Sequence, residues 1–202
     1  GVTAIGYNAF ADCNSLSSLV IANGAITAIS ENAFYNCVSL TTVTIGDNVT
    51  QIADSAFENC YSLSSLYVGN SVTSIGDNSF KNCDSLESFT SGKGVITIGN
   101  SAFRSCNNLK KVVIPDTTLL VGSYAFADCV KLNDLIIGKS VATVYDYVFS
   151  GCTSLETVIF PNSVMNVGEY TFAECTNLKR VAFKGRIEHI DNGMCYSCTS
   201  WY

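Results

Sequence analysis

The sequence predicts an α/β repeat solenoid, a right-handed stack of coils with a parallel β-sheet on the concave face and short helical or 3-10 turns opposite. Three observations carry this. Phenylalanine recurs every 23 residues at Phe34, Phe57, Phe80, Phe103, Phe126, Phe149 and Phe172, with Phe10 one step of 24 earlier. A cysteine follows each of them by three positions, from Cys13 and Cys37 to Cys175, and Cys198 keeps the same beat. Three residues further comes a leucine, from Leu16 and Leu40 to Leu178, with Trp201 in the ninth place. Nine partial copies in register make residues 1–202 a single array, and a fixed period of this length is the mark of stacked coils.

Each part of the cycle has a local reading. Ala33, Phe34, Cys37 and Leu40 fall at intervals of three and four, which predicts one helical or 3-10 turn with a single face inward. Val43-Thr44-Ile45 then alternates with period two, as a strand requires. Turn residues follow, Gly46-Asp47-Asn48 in one copy, Pro115-Asp116 and Pro161-Asn162 in others. Val49 and Ile52 bring the chain back to the core, and a frequent glycine (Gly6, Gly76, Gly99, Gly122, Gly168) is read as permitting the next tight bend. One such coil cannot cover its own apolar face. Neighbours must bury each other, pairing their strands about 4.8 Å apart into one parallel sheet and a slab about 40 Å long.

Composition narrows the partners. Hydrophobic residues make up 48% of the chain, enough for a well-buried core and too many for disorder. With 11 basic against 17 acidic residues there is no electrostatic attraction to phosphate backbones, so nucleic acid is not expected as a partner. No apolar run reaches the ~18 residues that span a bilayer, and Gly1 to Phe10 lacks a basic region followed by an apolar one, so neither a membrane span nor a signal peptide is read in this segment.

The stretch from Ile29 through Phe34, Cys37 and Leu40 to Ile45, and its copy from Ile75 through Phe80 and Cys83 to Leu86, resemble the BspA-like leucine-rich repeat proteins of oral and gut bacteria and mucosal protists. The resemblance covers essentially the whole chain. It implies a leucine-rich-repeat fold and an adhesin-like binding module, at the cell surface or secreted, whose partners are host or extracellular-matrix proteins or other cells. It names no ligand, because the matching residues are core residues.

Ten cysteines raise the question of disulfides or metal. Residues at one position of successive coils point the same way, whereas a disulfide needs two Cβ atoms aimed at each other about 3.8 Å apart, so Cys13 through Cys175 are expected to be reduced, buried fillers. Cys195 and Cys198 form a C-x-x-C in which Cys195 replaces the repeat phenylalanine, with the single histidine, His189, six residues earlier. A degenerate last coil explains the pair; a Cys195 disulfide to a neighbour is the alternative, and three candidate ligands are too few for structural zinc. One histidine and singly placed acids supply no triad or facing carboxylate pair, so neither catalysis nor a cofactor is expected. Asn48-Val49-Thr50 is a glycosylation sequon in a turn. Tyr124, Tyr147 and Tyr170 share one repeat position and are expected to stack on the rim, as packing or as a recognition patch.

Two functions remain open: a binding module that uses its sheet face, or a structural, self-assembling spacer that uses its coil ends. The chain opens on Val2 inside a coil and closes on Trp201-Tyr202 without a polar cap, which predicts flanking sequence in a parent protein or end-to-end self-association. For the sheet face, period two sends outward the residues before, between and after the inward pair. These are small and neutral in the first half, Ser18, Val20, Thr42, Thr44, Ser65, Tyr67, Ser88 and Thr90. In the second half the central stripe becomes Val113, Ile136 and Ile159, flanked by Lys111, Asp134, Thr157 and Arg180. Branched residues suit strands in any case, yet an apolar stripe rimmed by both charges is also how a protein-binding patch looks. These seven residues are the candidate site.

Overall fold

The computed structural model describes residues 1–200. Coils are numbered here by their phenylalanine, from coil 1 (Phe10) to coil 8 (Phe172), with His189 to Cys198 beginning coil 9. The fold is a parallel β-solenoid. Each complete coil carries a two-residue strand before its phenylalanine, such as Ala28–Ile29, and a strand of three or four residues after its leucine, such as Thr42–Ile45. Inside runs one apolar core, in which Phe34, Cys37, Leu40, Ile45, Val49 and Ile52 and most of their counterparts in coils 3 to 7 are sealed from solvent, while Phe10 in coil 1 is 43% exposed. Successive phenylalanine rings stack nearly parallel, their centroids 5.1 to 5.3 Å apart from Phe10 to Phe126.

The expected helical or 3-10 turns are not there. The segment from Ser30 to Leu40 is a run of linked β-turns, and its backbone bonds alternate in direction. Ala33, Tyr35, Cys37 and Leu40 donate to the carbonyl three residues back, while Asn32, Phe34 and Asn36 donate to Asp54, Ala56 and Glu58 of the next coil. Two residues per coil adopt left-handed backbone, Asn32 (φ 56°) and Asn36 (φ 58°) in coil 2, with Ser, Asp, Gly, Glu or Tyr at the equivalent places. A left-handed residue every fourth position ends any helix before it completes a second turn, and it frees alternate amides to bond between coils. The spacing of three and four marks one inward face, but it belongs to turns.

The glycines also differ from expectation. Gly76, Gly99, Gly122 and Gly168 do not have positive φ. They are small because the neighbouring coil is close: a Cβ on Gly76 would sit 2.5 Å from Asp54 Oδ1 and 2.6 Å from the Ala53 carbonyl carbon. That approach lets a side-chain ladder cross the coils, in which Asp54, Asp77 and Asn100 each accept the amide of the residue one coil later, Asp77, Asn100 and Ser123, at 2.7 to 2.9 Å.

The strands do not form the single parallel sheet expected. The two-residue strands do form one unbroken nine-stranded sheet from Ala4–Ile5 to His189–Ile190. The longer strands form three separate sheets, of three, three and two strands. Between coils 3 and 4 only the bridge Val68 to Ser91 remains, and between Asp134–Ile136 of coil 6 and Thr157–Phe160 of coil 7 no strand pairing is made.

Side chains explain where pairing lapses. The inward middle residue of the strand is Leu66 before the first gap and Leu135 before the second, and the strand that follows carries an extra ring in the core, Phe89 or Phe160. Leucine fits the pleated surface less well than a β-branched residue, and a phenyl ring needs more room between coils than Val or Ile. At the second gap Pro161 is also without an amide, as Pro115 is where coils 4 and 5 stay paired, so proline accompanies the lapse without causing it. Gly92 and Lys184 donate their amides to Val68 and Phe160 one coil back, at 2.9 and 3.1 Å, and proline at this position has no N–H to give.

Candidate functional site

The strand face of coils 5 to 8 is built by Lys111–Val113, Asp134–Ile136, Thr157–Phe160 and Arg180–Phe183. Alternation turns Val112, Val158 and Phe160 into the core and leaves the intervening residues outside. All seven sequence-predicted residues lie on that outer face. Lys111, Asp134, Thr157 and Arg180 are exposed, Val113 is half-buried, and Ile136 and Ile159 are 50% and 46% exposed. Register places Lys111 beside Asp134 and Val113 beside Ile136, then Thr157 beside Arg180. Ile136 and Ile159 line one hollow across the lapsed junction, so the apolar stripe is continuous in space.

Apolar exposure is not confined to this half, because Val20 and Tyr67 are 70% and 52% exposed. The two halves differ in continuity. Thr44 separates Val20 from Tyr67 in register, whereas Val113 is paired with Ile136 and Ile136 shares a hollow with Ile159, with no polar residue between them in the row.

The flanking charges are not all free. Lys111 Nζ lies 2.6 Å from Asp134 Oδ2, and Lys139 Nζ lies 3.0 Å from Asp116 Oδ2 on the turn beyond. Both pairs face water and fix side chains more than they stabilise the fold. The Asp116 carboxyl is held below the usual carboxylate range, because it accepts the Lys139 backbone amide and its ammonium. Arg180 has no side-chain partner among the described residues, and neither does Lys184, which the sequence reading did not single out. Lys184 lines a hollow of about 440 Å³ with Ile136, Ile159, Pro161 and Lys139 at the lapsed junction of coils 6 and 7. The one signal for it in the sequence was Pro161, a residue without a donor at a strand end.

The remaining candidates resolve differently. Cys37 through Cys175 are buried, and each of these thiols, together with Cys198, donates to the phenylalanine carbonyl one coil back, as Cys60 does to Phe34 at 3.4 Å and Cys152 to Phe126 at 3.3 Å. All ten cysteines are free. Burial pushes the thiols of Cys60 and Cys129 up to about 12, which keeps them protonated and unreactive at neutral pH. Cys195 and Cys198 are half-buried beside each other, and burial raises both. His189 Nε2 meets Asp191 Oδ1 at 2.6 Å, and no three His, Cys, Asp or Glu side chains among the described residues are grouped to hold a metal. Asn48 is exposed on its turn, with Oδ1 accepting the Gly24 amide at 3.0 Å.

The tyrosines stack as expected, Tyr124 on Tyr147 at 4.6 Å and Tyr147 on Tyr170 at 5.0 Å, with the Arg104 guanidinium 5.3 Å from the Tyr124 ring. All three are left-handed, at φ 53° to 59°, in the place that Asn32, Ser55 and Asn78 occupy in earlier coils. That backbone costs a bulky residue about 1–2 kcal/mol, and each ring contact returns about 0.5–1.5 kcal/mol, so packing along the row accounts for it. Trp201 lies outside the described residues. Among those described, no helix is long and apolar enough to cross a membrane.

Comparison with known proteins agrees with this architecture. Residues 1–110 and 96–201 match the BspA type leucine rich repeat region in six copies. A leucine-rich repeat protein from Bacteroides ovatus ATCC 8483 is 30% identical at a TM-score of 0.74, over 81% of this chain and 45% of that one. A Treponema pallidum (T. pallidum) leucine rich repeat protein is 28% identical at a TM-score of 0.75, over 81% of this chain and 78% of that one. The chain thus spans less than half the length of the Bacteroides protein. No protein of curated function matches it.

Proposed function

The chain belongs to the BspA-type leucine-rich repeat family, and on that premise we propose that residues 1–202 act as one non-catalytic, protein-binding array of an adhesin-like protein, secreted or at the cell surface. Its partners are host or extracellular-matrix proteins or the surfaces of other cells, and the contact site is the strand face of coils 5 to 8. Leucine-rich repeat arrays are protein-interaction modules. What supports the site is the unbroken stripe Val113, Ile136 and Ile159, in which two isoleucines stay about half exposed on a sheet that could have carried threonine, as it does at Thr44 and Thr90. Exposed branched residues in a row cost solubility and add nothing to the core, so a partner that covers them is the economical reading.

Glutamate at both Ile136 and Ile159 tests it. Because both side chains point outward, the variant keeps its circular dichroism and melting temperature while adhesion to immobilised matrix proteins and to epithelial cells falls at least about tenfold. Undiminished adhesion would remove the site, and collapse of the fold would show that the two residues are structural.

A further inference from the structure

The junction between coils 6 and 7 has features that a generic protein-binding stripe does not need. Across the junction of coils 5 and 6, Asn133 donates its amide to Lys110 at 3.1 Å and Ile114 donates to Ile136 at 2.9 Å. The same bonds one coil on, Glu156 to Asn133 and Ile137 to Ile159, are not formed, and Pro161 has no amide to send to Ile137. The core side chain Leu135 is left partly open to solvent, where Val112 and Val158 are sealed. The opening leaves an apolar hollow lined by Leu135, Ile136, Ile159 and Pro161, and such a hollow takes the alternate side chains of an extended segment.

The charge of that backbone can be read from the cations. Of eleven Lys and Arg, six sit against a carboxylate and Lys131 bonds Asn108. The four without a side-chain partner among the described residues are Lys93, Arg180, Lys184 and Arg186, so three of them fall within one short stretch of coil 8, where Lys184 lines the hollow at the junction and Arg180 lies beside Thr157 of coil 7. The acids around the mouth are already engaged, Asp134 by Lys111, Asp116 by Lys139 and Glu156 by Lys179; Glu188, two residues past Arg186, offsets part of the excess. A chain of net charge −6 therefore presents a local positive rim here.

Resting on the strand-face reading above, we infer that this junction seats an extended, acidic segment of the partner protein. The segment lies across the mouth and does not enter as an added strand. Insertion would need the flanking strands about 9.6 Å apart, twice the normal spacing, while the inner rings Phe126 and Phe149 of the same two coils are 5.8 Å apart. Alternate side chains of the ligand rest on Ile136 and Ile159, and its carboxylates meet Arg180 and Lys184.

The test uses two fluorescein-labelled, end-blocked octapeptides, one alternating valine with glutamate and one alternating valine with lysine, titrated with the whole chain and read by anisotropy. The glutamate peptide should bind at least about tenfold more tightly, with the difference shrinking in high salt, and Arg180→Glu or Lys184→Glu should each weaken it about tenfold. Lys93→Glu, which reverses the unpartnered cation on coil 4, should leave it unchanged. Equal binding of the two peptides, no effect of Arg180→Glu and Lys184→Glu, or an equal loss with Lys93→Glu would overturn the inference. If the peptides are not distinguished although the Ile136→Glu, Ile159→Glu variant has lost adhesion, the binding face stands and the acidic ligand falls. If adhesion survives that variant, the face falls and this inference with it.

Discussion

Two sets of strands run the length of the stack, and they are built from different inner residues. The nine-stranded sheet has Ile5, Ile29, Ile52, Ile75, Ile98, Val121, Val144, Val167 and Ile190 at one position, every one β-branched and of similar size, and it does not break. The longer strands carry Leu19, Val43, Leu66, Phe89, Val112, Leu135, Val158 and Val181 at their inner position, and their sheet lapses after Leu66 and Leu135, where the next strand adds Phe89 or Phe160, but not after Leu19, where the next strand has Val43 and Ile45. Coil spacing is common to both sheets, so a change of side-chain thickness on one side must be absorbed there or passed to the other. The uniform side holds the register. The variable side absorbs the change, and it is the side whose outer residues also vary from coil to coil.

The largest effect should come from removing a ring that both sides share. Phe103 stacks on Phe80 and Phe126 at 5.2 and 5.3 Å and touches Phe89 at 4.2 Å, so Phe103→Ala should cost about 3–5 kcal/mol in a urea melt, against less than about 0.5 kcal/mol for Val113→Ala on the outer face. Comparable losses from the two would mean that the strand face is structural.

Alkali should act next, through the thiol ladder beside those rings. An unfolded thiol loses its proton near 9, whereas burial holds Cys60 and Cys129 to about 12. Between these values the folded chain keeps protons that the unfolded chain releases, so stability is intact below about pH 9 and falls as pH rises toward 12, by about 1.4 kcal/mol per unit for each such thiol. Urea midpoints from pH 8 to 11 check this, and alanine at Cys60 and Cys129 should flatten the slope. An unchanged midpoint at pH 11 would show that the ladder is not buried in solution.

The smallest perturbation, one missing bond, is visible by hydrogen exchange. The Ile114 amide, bonded to Ile136 at 2.9 Å, should exchange at least about a hundredfold more slowly than the Ile137 amide, which lacks the equivalent bond. Equal protection would mean that the long-strand sheet is continuous after all.

Much of this was legible in the sequence because the core repeats. Phe34, Cys37, Leu40 and Ile45 announce the coil length, the inward face and the strand, and they place all seven candidate residues on the outside of the sheet. The linked turns were not legible. Spacing of three and four describes which side chains point inward, and left-handed Asn32 and Asn36 satisfy it as well as a helix does. The left-handed tyrosines illustrate the same limit, since nothing in the residue type favours that backbone and only the stacked neighbours make it tolerable. The lapse between coils 6 and 7 was written in Leu135 and Phe160, but reading it requires knowing that these two meet at one junction, since Leu19 followed by Val43 makes no lapse. Lys184 was missed for the same reason, because it lies beyond the strand that defined the outward positions.

The central claim is that one half of the strand face binds and the other does not. Two variants decide it in parallel, Ile136→Glu with Ile159→Glu in coils 6 and 7, and Val20→Glu with Tyr67→Glu in coils 1 and 3, all four positions exposed on the same face. Both should melt like the parent chain. In a solid-phase adhesion assay on matrix proteins the first should lose at least about nine-tenths of binding and the second almost none. Equal losses, or a loss confined to Val20→Glu with Tyr67→Glu, would contradict the account.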